Sequence, residues 1–291
     1  MKPLTEELSI SLLGSFQVEL GGHPVAGFRT AKVRALLAYL AFESQRAWSR
    51  ATLADLLWPD LPEKDAQSNL RNAMSNLRKV IGDSGSDPPY LLLFQDTLQF
   101  NPNRPAWTDA HEFLTMISTA SKAGETGPQE IVWLEKALAL YRGDFLEGFS
   151  IDSAPFEEWV RLKSELVRQQ ALEALRRLAA AYQETGELER ALQHARHWVE
   201  VEPWDESAHR ALMRIFLRRG QRNAALAQYE ACRERLKCDL AVEPEPATTR
   251  LYEQIRSGQV DTETHKVESL ASTQESQVPA FLRGRRLSQS E

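Results

Sequence analysis

The 291 residues, 42% hydrophobic and 26% charged, have the composition of an ordinary globular protein of about two domains. A net charge of −6 excludes a uniformly basic nucleic-acid coat protein but leaves room for a local basic face, because attraction to a polyanion follows the distribution of charge. Two cysteines, Cys232 and Cys238, are too few for a disulfide framework or a zinc cage, and no apolar run approaches membrane-spanning length, so the expectation is a cytoplasmic protein away from membranes.

In chain order, residues 8–28 alternate like strands, with Gly21-Gly22 as a turn. A helix follows over 30–42, with Val33, Leu36, Leu37 and Leu40 on one face. Ser49 reads as the N-cap of a second helix through Leu53, Leu56 and Leu57, which Trp58-Pro59 ends. Asp60-Leu61-Pro62 leads to a third helix within DAQSNLRNAMSNLRKVIGD, residues 65–83. YLLLFQDTLQF, residues 90–100, reads as a hairpin. Strands, three helices and a closing hairpin predict an α+β winged helix-turn-helix, in which the third helix enters the major groove and the wing lies on the backbone.

The third helix carries the strongest signal. Ala66, Leu70, Ala73, Met74, Leu77, Val80 and Ile81 form its buried stripe, and Ser68, Arg71, Asn72, Ser75, Arg78 and Lys79 fall opposite. Between Ala66 and Ile81 there are three cations and no carboxylate, whereas solvated helix faces usually mix both signs. Arg can fork onto guanine or phosphate, Asn can pair with adenine, and Ser can reach base edges or backbone. The six are therefore candidate DNA contacts, set against the plain alternative of a solvated polar face. Arg50, in the first turn of the second helix, and Arg104, just past the hairpin, are further candidates, with an ordinary surface charge as the alternative for Arg50. The wing has no Lys or Arg between Lys79 and Arg104 but holds Asp83, Asp87 and Asp96, which makes it a poor phosphate clamp.

The second half repeats itself. Residues 178–203 align with 212–237 at an offset of 34, which sets Tyr182 on Phe216, Gly186 on Gly220, Ala191 on Ala225 and Ala195 on Tyr229. That period and pattern are those of tetratricopeptide helix pairs, in which the glycine ends one helix and the alanine lets the next approach. Pro203 closes the first copy, but Lys237 stands at the matching place and proline waits until Pro244. Residues 131–141 and 156–178 also read as helices, with Leu134, Leu138, Trp159, Leu162 and Leu166 as apolar positions, so an all-α domain is expected. Trp58, Trp133, Trp159, Trp198 and Trp204 read as packing residues.

Little points to chemistry. His194 and His197 stand i,i+3 without a third ligand and read as surface residues. Gly22 and Gly27 have phosphate-loop spacing, but Phe28-Arg29 stands where Lys-Ser/Thr is required. No nucleophile and base pattern stands out, so neither catalysis, nor a cofactor, nor a metal is expected.

The runs RTAKVRALLAYLA, LADLLWPDLP, NLRNAMSNLRKVIG, LEKALALYRGDFLEGF, FEEWVRLKSEL and LAVEPEPATTRLYEQIRSG, in this order and with the tandem repeat, resemble the Streptomyces antibiotic regulatory protein family over about residues 8–258. The resemblance implies a winged helix of the response-regulator type at 1–110 and a bacterial transcriptional activator domain of tetratricopeptide-like helices at 111–258. It implies binding of double-stranded DNA at short direct repeats near promoters, where molecules would associate head to tail, and help to RNA polymerase. The third helix would be its recognition helix. Residues 259–291, rich in Ser, Gln, Thr and Glu and holding the cluster Arg283, Arg285 and Arg286, are expected to be a disordered tail or linker. The alternatives are a protein-binding helical scaffold whose first domain has lost DNA binding, motivated by the acidic wing and the net charge, or the front of a larger signalling regulator.

Overall fold

The computed structural model describes residues 8–84, 87–104, 106–122 and 127–259. The tail expectation falls almost wholly outside these residues, as do Arg283, Arg285 and Arg286. Two compact units part between Pro203 and Trp204.

The first unit opens with β1 (Leu8–Ser11), β2 (Gln17–Leu20) and β3 (His23–Pro24), an antiparallel meander turned at Gly21-Gly22. Three helices follow: α1 (Ala31–Phe42), α2 (Arg50–Leu57) and α3 (Glu63–Val80). Strands β4 (Trp48–Ser49), β5 (Leu91–Leu93) and β6 (Thr97–Phe100) make a second antiparallel sheet in the order β4-β6-β5, with Leu91 opposite Phe100 and Trp48 opposite Leu98. This is the expected winged helix-turn-helix. A last strand, β7 (Trp107–Thr108), runs parallel to β1 and completes the first sheet in the order β3-β2-β1-β7.

Helices then take over: α4 (Asp109–Lys122), α5 (Pro128–Leu138), the 32-residue α6 (Ala154–Thr185) and α7 (Leu188–Val201). The sequence marked no particular helix over residues 109–122, although an all-α domain was expected from 111 on. Their apolar face rests on Ala110, Phe113, Ile117 and Ala120 amid His, Thr and Ser, a weak periodic signal that tertiary packing completes. The α6–α7 hairpin turns at Gly186, which sits in the left-handed region at φ 80°, and Tyr182, Ala191 and Ala195 are buried between the helices as the repeat requires.

Two clusters weld the sheet and helices of this unit. The Asp109 carboxylate is wholly buried and accepts the backbone N–H of Leu12 at 2.7 Å and of Leu13 at 3.2 Å, while Arg142 Nη2 approaches at 2.8 Å. Burial pushes the Asp109 carboxyl above its ordinary range, against the pull of those amides and of Arg142. Trp159, at the start of α6, lies 4.9 Å from the Tyr39 ring and 5.3–6.0 Å from those of Phe42, Phe145 and Phe156, so aromatic faces from α1 and α6 close over one another. Ser153, the N-cap of α6, also donates to the Leu56 carbonyl of α2 at 2.6 Å.

The second unit holds α8 (Glu206–Arg218), α9 (Arg222–Arg235), one π-helical turn (Leu236–Leu240) and α10 (Pro246–Ser257). Gly220, at φ 72°, repeats the role of Gly186. Phe216, Ala225 and Tyr229 are buried, and Tyr229 stacks on Tyr252 of α10 at 4.1 Å. Where Pro203 ends the first copy, the second runs on into the π turn, so the missing proline has a visible effect. Arg222 donates to the carbonyls of Ile255 and Arg256 and so caps the C-terminus of α10.

Some side chains differ from expectation. His194 is buried, stacks on Tyr182 at 5.6 Å and places Nε2 3.0 Å from Glu135 Oε1, so it is no surface residue. Leu162, Leu166 and Trp204 are 53%, 42% and 43% exposed, because periodicity marks an apolar stripe without saying whether the fold covers it.

Asp109→Ala should cost about 2–4 kcal/mol in urea unfolding, since two buried amides lose their acceptor, and Arg142→Ala, at a half-exposed guanidinium, about 1 kcal/mol or less. Equal losses would show that the ion pair and not the amides matters. Burial lowers the His194 pKa from 6.5, opposed by Glu135, so below 6.5 the unfolded chain binds more protons than the folded one. Its contribution to stability is therefore full above pH 6.5 and lost as pH falls toward the lowered value. Melting midpoints should drop more between about pH 7.5 and about 5.5 for the native chain than for His194→Gln.

Candidate nucleic-acid interface

The helix-turn-helix starts at Ser49, whose hydroxyl accepts the Thr52 N–H at 2.9 Å and caps α2. Trp58 closes α2 through its N–H to Ala54 O at 2.7 Å, and Pro62 precedes α3, whose first turn holds Glu63 and Asp65 as a helix N-terminus favours. The helix begins two residues earlier than the sequence suggested, which moves Ser68 from its start into its second turn. Over a length of about 27 Å it buries Ala66, Leu70, Ala73, Met74 and Leu77. Arg71, Asn72, Ser75 and Lys79 are exposed along the other side, and Ser68 and Arg78 are half-buried at its edges.

Two buried polar residues that sequence reasoning did not single out hold this helix in place. Asn76 accepts the Arg29 N–H at 2.9 Å and donates to Gly27 O at 3.2 Å, which pins the segment before α1 against α3. Asp83, 1% exposed, pairs with Arg78 Nε at 3.0 Å and accepts the backbone N–H groups of Tyr90 and Leu91 ahead of and within β5. It was counted among the acids of the wing, but it faces inward and joins the end of α3 to the wing's first strand. An Asn one turn from Asn72, and an Asp five residues past Arg78, were the available signals.

The other two candidates lie at the hairpin. Arg50 donates through Nη2 to Phe94 O at 3.1 Å and through its backbone N–H to Asp96 O at 2.9 Å, so it grips the tip of the wing. Arg104 stacks on Tyr90 at 3.9 Å and donates to Pro88 O at the hairpin's other end. The structure thus brings Ser68, Arg71, Asn72, Ser75, Arg78 and Lys79 together on one helix and sets Arg50 and Arg104 at opposite ends of the hairpin. Phe94, at the tip, is 53% exposed. Among the described residues no group of three or more His, Cys, Asp and Glu side chains could hold a metal, and no helix is long and apolar enough to cross a membrane.

The sequence matches the family model of the bacterial transcriptional activator domain over residues 108–256, more than half of the chain. The chain belongs to that family. In front of it, residues 28–95 match the C-terminal domain of transcriptional regulatory proteins, the segment that contains α1, α2, α3 and the first strand of the wing. Its relatives include the transcriptional regulator RedD of Streptomyces coelicolor, 28% identical over 85% of this chain and 70% of RedD. The transcriptional regulatory protein MoaR1 of Mycobacterium tuberculosis is 26% identical over 85% of this chain and 79% of its own. The solved structure of Mycobacterium tuberculosis EmbR, in complex with a low-affinity phosphopeptide, superposes with a TM-score of 0.69 at 25% identity, over 93% of this chain and 71% of that one. The resemblance drawn from the order of motifs is borne out, and the chain is a DNA-binding transcriptional regulator of this family.

The two asparagines of α3 separate packing from recognition. Asn76→Ala should cost about 1–2 kcal/mol of stability through its two lost backbone bonds, and Asn72→Ala less than about 0.5 kcal/mol. Chemical denaturation of both variants checks this, and an equal loss would place Asn72 in the packing as well.

Proposed function

We propose that this regulator is a sequence-specific activator that reads duplex DNA through the exposed face of α3 and acts by binding rather than by catalysis. The observation that carries the reading is that this face, from Ala66 to Ile81, presents Arg71, Asn72, Ser75 and Lys79 with no carboxylate. Arg71 and Asn72 are its base readers, Ser68 and Ser75 reach base edge or backbone, and Lys79 meets phosphate. Arg78, whose Nε serves Asp83, keeps its other donors for the backbone. Arg50 and Arg104 set the wing and approach phosphate beside it. Residues 1–110 form the reading domain and 111–258 the activator domain, which at short direct repeats aligns copies head to tail and engages RNA polymerase in the cytoplasm.

The acid-bearing wing, with Phe94 and Asp96 at its tip, favours a second reading in which this face and the helical repeats bind protein instead. Selection of random duplexes on the full chain separates the two. An enriched motif bound more than about 10³-fold tighter than a scrambled duplex is expected. Weak, equal binding of both duplexes would support the scaffold. On the selected site Arg71→Ala should cost about 1–3 kcal/mol and relax one base position, whereas Lys79→Ala should weaken all sequences alike and flatten the salt slope by about one unit.

A further inference from the structure

On the flank of α3 turned away from Arg71 and Arg78 a cleft of about 630 Å³ opens, entirely within the first unit. One wall is α3, with the amides of Asn69 and Asn72. The other is the start of α1 and the segment before it, with Lys32 and Arg29, and Trp58 also lines the cleft. The Lys32 ammonium stands 5.5 Å from the Trp58 ring centre, and the Arg29 backbone is held by Asn76, so both cations are presented from anchored positions. Neither is paired with a carboxylate among the described residues, and the one acid lining the cleft, Asp152, is exposed to solvent.

A helix with its side chains is about 10–12 Å across and the major groove is about 12 Å wide, so a helix lying in the groove brings both flanks against phosphates. One flank of α3 carries Arg71 and Arg78. The opposite flank has no cation of its own there: it carries Asn69, Asn72 and Asn76, with the exposed Asp65 one turn before Asn69 toward the helix start, and the cleft supplies cations from α1 and the segment before it. We propose that this cleft seats a backbone phosphate of the DNA strand bordering the groove that α3 enters, with Arg29 and Lys32 supplying charge and the Asn69 amide a neutral donor. This rests on α3 being the reading helix. It assigns α1 a direct part in binding and makes the contact independent of sequence, since phosphates carry no base identity.

The test uses the full chain and the duplex selected above. Arg29→Ala with Lys32→Ala should weaken the selected and the scrambled duplex alike, leave base preference unchanged, and reduce the slope of log affinity against log salt by about two units, about one per cation. Single Arg29→Gln and Lys32→Gln variants, each expected to lower the slope by about one, keep the result interpretable if the double variant folds poorly. An unchanged slope, with the native chain still selective, would overturn the cleft contact alone. A native chain that selects no motif would overturn the reading beneath it. A melting midpoint raised by inorganic phosphate in the native chain but not in the double variant, with no change in slope, would assign the cleft to a free anion and overturn the DNA contact.

Discussion

The first unit depends on one buried carboxylate. Asp109 stands where β7 gives way to α4, and it satisfies two consecutive amides at the exit of β1 that have left the strand ladder. A buried N–H without an acceptor is costly, so the chain can leave β1 in this direction only while Asp109 is in place. The residues after α5 use the same exit: Leu146 donates to Leu12 O at 2.7 Å and Gly14 to Asp144 O at 2.9 Å. The sheet in front of the winged helix and the first helices of the activator domain therefore share one hydrogen-bonded seam. The aromatic cluster around Trp159 then closes over α1 from the other side.

Within that frame α3 is held by side chains whose chemistry matches those it presents. Asn76 and Asn72 are the same residue one turn apart, yet one is committed to the Gly27 and Arg29 backbone and the other is open to solvent. Arg78 and Arg71 divide in the same way, with Arg78 half turned to Asp83. The helix thus spends part of its polar complement on being positioned, which is how an 18-residue element with few large apolar side chains keeps one orientation.

Periodicity made much of this legible. The acid-free face, the Ser49 cap and the repeat with its paired glycines are local signals, and each appears as expected. Contact partners distant in sequence were not legible. Asp83 looked like one more acid of the wing because the amides of Tyr90 and Leu91 that claim it are visible only once β5 has folded back. His194 looked solvated because its partners come from α5 and α6. The α4 helix was missed because His, Thr and Ser dilute its pattern. Leu162 and Leu166 erred the other way, as an apolar stripe that this unit leaves uncovered.

The seat of α6 gives the winged helix a long handle. Ser153 ties the start of α6 to the last turn of α2, and Trp159 fixes the next turn to α1, so the helix leaves the winged helix as a rod of 32 residues, about 48 Å long. A rotation of about 5° at that seat moves the rod's far end by about 4 Å. By the same leverage, whatever displaces the far end of the rod is felt at the junction of α2 and α3 as a much smaller, finely graded turn.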